Sequence, residues 1–118
     1  MKRIIAFIAL ALLLLSLSGC FVLSSPDITG TWDVYISMND NPYFKRQMII
    51  TDQNNKAFYG FMYVSSTPDY MWGNVEANGK IKFQVLDGIF VGMANSKHMS
   101  GTFTANNIYN GRWYADKK

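Results

Sequence analysis

Side chains able to do chemistry are scarce in this sequence of 118 residues. Histidine occurs once, as His98, and cysteine once, as Cys20. A metal site takes several His, Cys or carboxylate ligands at defined spacing, and one of each does not make up the usual sets. His98 has no cysteine or carboxylate partner close by in sequence and reads as an exposed residue at a strand start. The carboxylates Asp27, Asp33, Asp40, Asp52, Asp69, Glu76, Asp87 and Asp116 fall mostly in turns or at strand ends, where such residues form turns and face water. Hydrolysis by paired carboxylates needs two of them at a set separation, which no local spacing here imposes. No glycine-rich phosphate loop opens a helix, since no helix is expected. The expectation is no metal, no cofactor and no enzymatic activity. Cys20 has no second cysteine to pair with, so it is not half of an internal disulfide. A free thiol or an intermolecular bridge remains open on cysteine count alone, and its neighbours must decide.

Those neighbours are Leu17, Ser18 and Gly19, which follow Lys2, Arg3 and an unbroken apolar run from Ile4 to Leu15. As a helix this run is ~18 Å long, against ~30 Å of bilayer hydrocarbon, so it is too short to span. A basic front, a short apolar middle and a small-residue end fit a cleaved export signal. Leu17-Ser18-Gly19-Cys20 resembles the lipobox of bacterial lipoprotein signal peptides, a resemblance that covers the first 20 residues. It implies cleavage between Gly19 and Cys20 and two or three acyl chains on Cys20. One chain alone holds only marginally. It also implies the outer membrane in a Gram-negative cell, because Phe21 rather than Asp follows the cysteine, and otherwise the outer face of the cell membrane. The expected organisation is a signal peptide over residues 1–19, a lipidated tether over 20–27 and a small β-barrel domain over 28–118. Phe21 to Asp27 reaches at most ~25 Å, which keeps that domain close to the membrane.

The charge is modest once the signal is removed. Taking Lys2 and Arg3 from the eleven basic residues leaves nine, against eight acidic, so +3 becomes +1. Lys45-Arg46, Lys80/Lys82 and Lys117-Lys118 are short and scattered, unlike the clustered basic face of a nucleic-acid binder. No nucleic-acid partner is expected.

The elements that must position any site are strands. From Ile28 onward no stretch sustains apolar residues at helical spacing. Short runs rich in aromatic and β-branched residues alternate instead with Asn, Asp, Gly and Pro clusters. Eight are expected: Ile28 to Ser37, Tyr43 to Asp52, Ala57 to Ser65, Asp69 to Ala77, Lys80 to Leu86, Ile89 to Ala94, His98 to Ala105 and Ile108 to Ala115. Asn78-Gly79 is the strongest hairpin signal, as a two-residue turn with positive φ at both positions, and Asp87-Gly88 and Asn106-Asn107 mark further turns. Links this short join antiparallel neighbours. The expected fold class is all-β, an eight-stranded antiparallel up-and-down meander forming a small barrel.

An apolar-x-Gly-x-apolar pattern recurs six times, at Ile28/Gly30/Trp32, Phe58/Gly60/Met62, Met71/Gly73/Val75, Phe90/Gly92/Ala94, Met99/Gly101/Phe103 and Tyr109/Gly111/Trp113. Period-two geometry puts the members of each set on one face, and glycine there permits tight bending and close strand approach. Gly30-Thr31-Trp32 resembles the Gly-x-Trp signature of lipocalin and avidin-like barrels, the calycins. The resemblance implies a lipocalin-like barrel with a basic residue packed over Trp32, for which Arg112 is the expected counterpart.

Two functional readings follow. In the first, the inward face lines a small apolar ligand site formed by Trp32, Phe58, Met62, Phe103 and Trp113, with Arg46 and Asn110 as polar fixers. In the second, the barrel is a protein-interaction module, an envelope inhibitor or assembly partner. Inward glycines turn Tyr59, Phe61, Tyr63, Tyr70 and Trp72 outward, and exposed aromatic patches mark interfaces or membrane contact. The opposite parity would make those five rings the core. The expected partners are the membrane through lipidated Cys20, and a small apolar ligand or an envelope protein.

Overall fold

The computed structural model describes residues 24–118, so Gly19, Cys20 and the expected signal lie outside the described residues. Eight strands follow one another: β1 (Gly30–Met38), β2 (Phe44–Asn54), β3 (Ala57–Tyr63), β4 (Pro68–Val75), β5 (Lys80–Val85), β6 (Gly88–Ala94), β7 (His98–Ala105) and β8 (Tyr109–Lys117). Each runs antiparallel to the next, and β1 pairs with β8 to close the barrel. No helix occurs among the described residues. The architecture is an all-β, closed, up-and-down barrel, and closure leaves no strand edge to pair with another chain.

Alternation in the sequence becomes alternation of burial. In β5, Ile81, Phe83 and Val85 are buried while Lys80 and Lys82 face water. In β1 the same role falls to Trp32, Val34 and Ile36. The middle of the interior is packed with rings. Phe83 stacks on Phe90 at 4.7 Å between centroids and Phe90 on Phe103 at 5.3 Å, while Trp113 meets Phe83 edge-on at 5.2 Å. Trp113 Nε1 donates to the carbonyls of Thr102 and Val91, so its one polar atom is satisfied.

These rings require glycine where the wall coils most tightly. Gly92 and Gly101 face each other across β6 and β7. A Cβ on Gly101 would run into the Val91 carbonyl oxygen and come within 2.6 Å of the Gly92 Cα. A Cβ on Gly92 would strike the Ser100 carbonyl oxygen. All of these are backbone atoms, which move only with the sheet.

The two ends of the barrel differ. At the end where the chain enters, residues 25–28 lie across the opening. Ile28 is fully buried and its N–H donates to Gln53 Oε1 at 2.9 Å, while Gln53 Nε2 donates to the Pro26 carbonyl at 2.8 Å. Ser25 Oγ donates to the Val75 carbonyl at 2.6 Å. Ser25 and Pro26, read from sequence as tether, are thus docked onto the barrel. A register shift in β2 between Ile50 and Asp52 re-aims Gln53 toward this segment. Thr29 donates to Asp27 Oδ1 through both its hydroxyl and its N–H, which lowers the Asp27 carboxyl below its ordinary range. The stabilisation from this cap is present above the usual carboxylate pKa and is lost as pH falls through the lowered value.

Several turns differ from expectation. The Asn78-Gly79 link has positive φ at Gly79 alone, and Gly79 N–H closes back on the Glu76 carbonyl in a wider loop. The two-residue turns with positive φ at both positions are Asn39-Asp40 and Asn106-Asn107, since Asn and Asp tolerate the left-handed region. Gly88 opens β6, so the β5–β6 turn is Leu86-Asp87 rather than Asp87-Gly88. Pro68 is the first residue of β4, a position where the missing N–H is tolerated.

Replacing Gly101 with Ala is expected to lower the free energy of unfolding by about 1–3 kcal/mol, the usual cost of overpacking. Urea denaturation measures this, and an unchanged midpoint would show that the β6–β7 wall has room.

Candidate functional site

The end opposite the chain entrance is a mouth, rimmed by Asn39-Asp40, residues 64–67, Leu86-Asp87 and Asn106-Asn107. Inside it is a largely apolar cavity of about 180 Å³ lined by Ile36, Met38, Phe44, Met62, Val85, Phe90 and Phe103, together with Arg46, Leu86 and Asp87. A larger, open recess of about 720 Å³ lies beside the β1–β2 turn and β8. It is mixed polar and apolar surface exposed to solvent, and encloses nothing.

Arg46 enters the cavity because β2 alternates. It shares a face with Phe44, Met48 and Ile50, and stands opposite Val34 of β1. Its guanidinium lies 4.7 Å from the centre of the Phe44 ring, and Nη1 donates to the Lys45 carbonyl at 3.1 Å. Nε is buried with no hydrogen-bond partner, and Arg46 makes no ion pair among the described residues. A buried donor left unmet costs about 1–3 kcal/mol. A carboxylate or carbonyl oxygen arriving at the mouth would meet it with a charge-assisted hydrogen bond, the stronger kind.

Leu86, in the β5–β6 turn at the mouth, lines the same cavity. Its φ is 54°, in the left-handed region that a branched side chain avoids, and its side chain is exposed. Holding a non-glycine residue there costs about 1–2 kcal/mol. From sequence, Leu86 reads as the last residue of a strand, and nothing in its type announces the strained backbone.

Of the residues nominated as lining a ligand site, Met62 and Phe103 border the cavity. Trp32, Phe58 and Trp113 are buried in the packed interior below it. Asn110 is exposed on the outer wall, its backbone tied to Asn39, and is not a polar fixer of the interior. Arg112 does not cover Trp32. It falls between the inward residues Gly111 and Trp113, so alternation turns it out to solvent. The residue over Trp32 is Lys117, its cross-strand neighbour, with Nζ 5.9 Å from the ring centre, within cation–π reach. Trp32 Nε1 donates to the Ile28 carbonyl at 2.9 Å, which locks that end shut.

The outer wall carries the other nominated residues. Tyr59, Tyr70 and Trp72 are exposed and Phe61 and Tyr63 half-buried. Across β3 and β4, Tyr59 stands opposite Trp72 and Phe61 opposite Tyr70, whose rings approach to 5.1 Å. His98 has a long-range partner that spacing did not show: its Nδ1 lies 2.7 Å from Asp116 Oδ1 across β7 and β8, with Tyr114 stacked nearby at 6.4 Å. Both members are about half exposed, and exposed pairs of this kind are weak.

The chain matches no protein-family model and no curated protein. The functional reading therefore stands on the mouth, its arginine and the outer aromatic face.

Two substitutions test this description. Arg46→Met removes the unmet donor and is expected to raise the free energy of unfolding by about 1 kcal/mol; a fall of similar size would mean the guanidinium is already satisfied. Leu86→Gly relieves the turn and is expected to stabilise by about 1 kcal/mol, read as a shift in thermal midpoint with no loss of the folded spectrum.

Proposed function

We propose that this is a lipid-anchored envelope lipoprotein, without enzymatic activity, whose barrel mouth binds a small, mainly apolar ligand carrying one anionic or carbonyl oxygen. One observation carries the reading: Arg46 lines an apolar cavity and its Nε is buried and unpartnered. The cavity is close to the ~150 Å³ that accommodates benzene and below the ~300–1,000 Å³ of pockets for drug-sized molecules. It fits a single ring or a short acyl chain, with the polar end at Arg46. The anchor rests on Leu17-Ser18-Gly19-Cys20 and the apolar run before it. The closed end is the one the chain enters, so a lipid on Cys20 leaves the mouth at the far end, open to solutes.

A second reading, a protein-interaction module in the envelope, is favoured by the exposed rings of Tyr59, Tyr70 and Trp72. It needs no cavity, and the two readings use different surfaces.

Calorimetric titration with the straight-chain carboxylates from butanoate to octanoate, and with the corresponding alcohols, tests the first reading. Carboxylates are expected to bind more tightly than alcohols of equal length. A charged hydrogen bond of about 1.5–3 kcal/mol predicts that Arg46→Met weakens carboxylate binding by roughly 10- to 150-fold and leaves the alcohols unchanged. No heat from either series would sink the ligand reading. The anchor is tested separately: the mass of the processed chain should begin at Cys20 and include acyl chains, and Cys20→Ala should abolish both processing and membrane retention.

A further inference from the structure

We infer that the outer face of β3 and β4 is a membrane-contact surface, which lays the barrel on its side against the lipid headgroups. The inference rests on the lipid anchor at Cys20 proposed above. The outward positions of these two strands are Ala57, Tyr59, Phe61 and Tyr63 of β3 and Pro68, Tyr70, Trp72 and Asn74 of β4, with no charged residue among them. Tyr and Trp, with an apolar body and a polar tip, are the residues that settle at the membrane–water boundary. The ladder from Tyr59 to Tyr63 is about 13 Å long at ~3.3 Å per residue, enough for an extended contact.

What selects a lipid surface as the occupant is where the chain emerges. Ser25 does not leave the barrel at its axis. Its hydroxyl donates to the Val75 carbonyl at the end of β4, and its N–H donates to Asn55 Oδ1 in the β2–β3 turn. The chain therefore departs beside the end of the aromatic ladder, next to Asn74 and the Tyr59–Trp72 pair. Ser25 stands five positions after Cys20, a reach of at most ~18 Å. An acyl group on Cys20 inserts within that distance, on the side of the barrel where uncharged rings are exposed. The opposite wall, β7 and β8, presents His98, Ser100, Thr102, Thr104, Arg112 and Asp116 outward, with the ring of Tyr114 half-buried against Tyr35 among them, a mainly polar and charged surface suited to water. Beyond β4, Lys80 and Lys82 of β5 are exposed and lie alongside the face, where ammonium groups reach headgroup phosphates. Glu76 and Asp52 are the carboxylates at its margin, both near the end where the chain emerges.

Trp72 provides the test, because Trp32 and Trp113 are buried in the barrel and Trp72 alone of the three tryptophans is exposed. The processed full chain is reconstituted in phosphatidylcholine–phosphatidylglycerol vesicles with brominated acyl chains, and its mass is measured in the same sample. A face seated about 5–10 Å into the headgroup boundary brings Trp72 near the bromines, and its emission is expected to fall about two-fold. Trp72→Phe should remove the quenched component, and Tyr59→Ser with Tyr70→Ser, both exposed, should reduce it in a chain whose circular dichroism shows it still folded. An acylated chain whose Trp72 is untouched by bromine and open to aqueous iodide overturns the inference and leaves the anchor standing. An acylated chain whose Trp72 is shielded from both quenchers also overturns it, because a protein then covers the face. An unacylated chain refutes the anchor; bromine quenching of Trp72 would still uphold the face, and its absence would refute both.

Discussion

Six aromatic side chains, Trp32, Phe58, Phe83, Phe90, Phe103 and Trp113, fill a barrel of only eight short strands, and the fit of these rings to the wall governs what the rest of the molecule can be. Rings stacked at 4.7 and 5.3 Å hold the strands around a tight circumference. The wall can coil that closely only where Cβ atoms are missing, as at the facing pair Gly92 and Gly101. With no internal disulfide possible, packing of this kind and the closed hydrogen-bond ladder together stabilise the fold.

The same packing decides where a ligand can go. A filled centre excludes a lipocalin-sized cavity and leaves space only toward one end, since Trp32, Lys117 and the docked residues 25–28 seal the other. Function is thereby pushed to the mouth, where two features depart from the consistency of the remaining barrel. Arg46 places a buried, unpartnered donor among apolar side chains, and Leu86 holds a left-handed backbone conformation. Local departures from good packing and good geometry are concentrated at functional sites more often than elsewhere.

Much of this was legible in the sequence. The strand count and the meander come from turn signals and period-two alternation, local signals that closure of the barrel leaves intact. Alternation also sorts Trp32 and Phe58 to one face and Tyr59, Tyr70 and Trp72 to the other, but which face turns inward is decided only by the closed barrel. What was not legible depends on contacts between distant residues. Lys117 rather than Arg112 covers Trp32 because the β1–β8 register, invisible in either strand alone, sets Trp32 opposite Lys117. The His98–Asp116 pair arises from the β7–β8 register in the same way. Gln53 reaches the entering chain only because a register shift in β2 redirects it. Asn78-Gly79 resembles a tight turn, yet the wider loop from Glu76 prevails because Gly79 also bonds to Ala94 of β6. The cavity itself has no sequence signature, being the volume that packed rings leave unfilled.

The most direct test of the account is the NMR signal of the Arg46 Nε–H group as hexanoate is added to the isotopically labelled protein. A buried, unpartnered donor that acquires a carboxylate should shift strongly downfield and exchange more slowly with water, with smaller shifts in the amides of Leu86 and Gly88 at the mouth. An Arg46 signal unmoved at saturation, or shifts confined to the outer face of β3 and β4, would contradict the assignment of the mouth as the binding site.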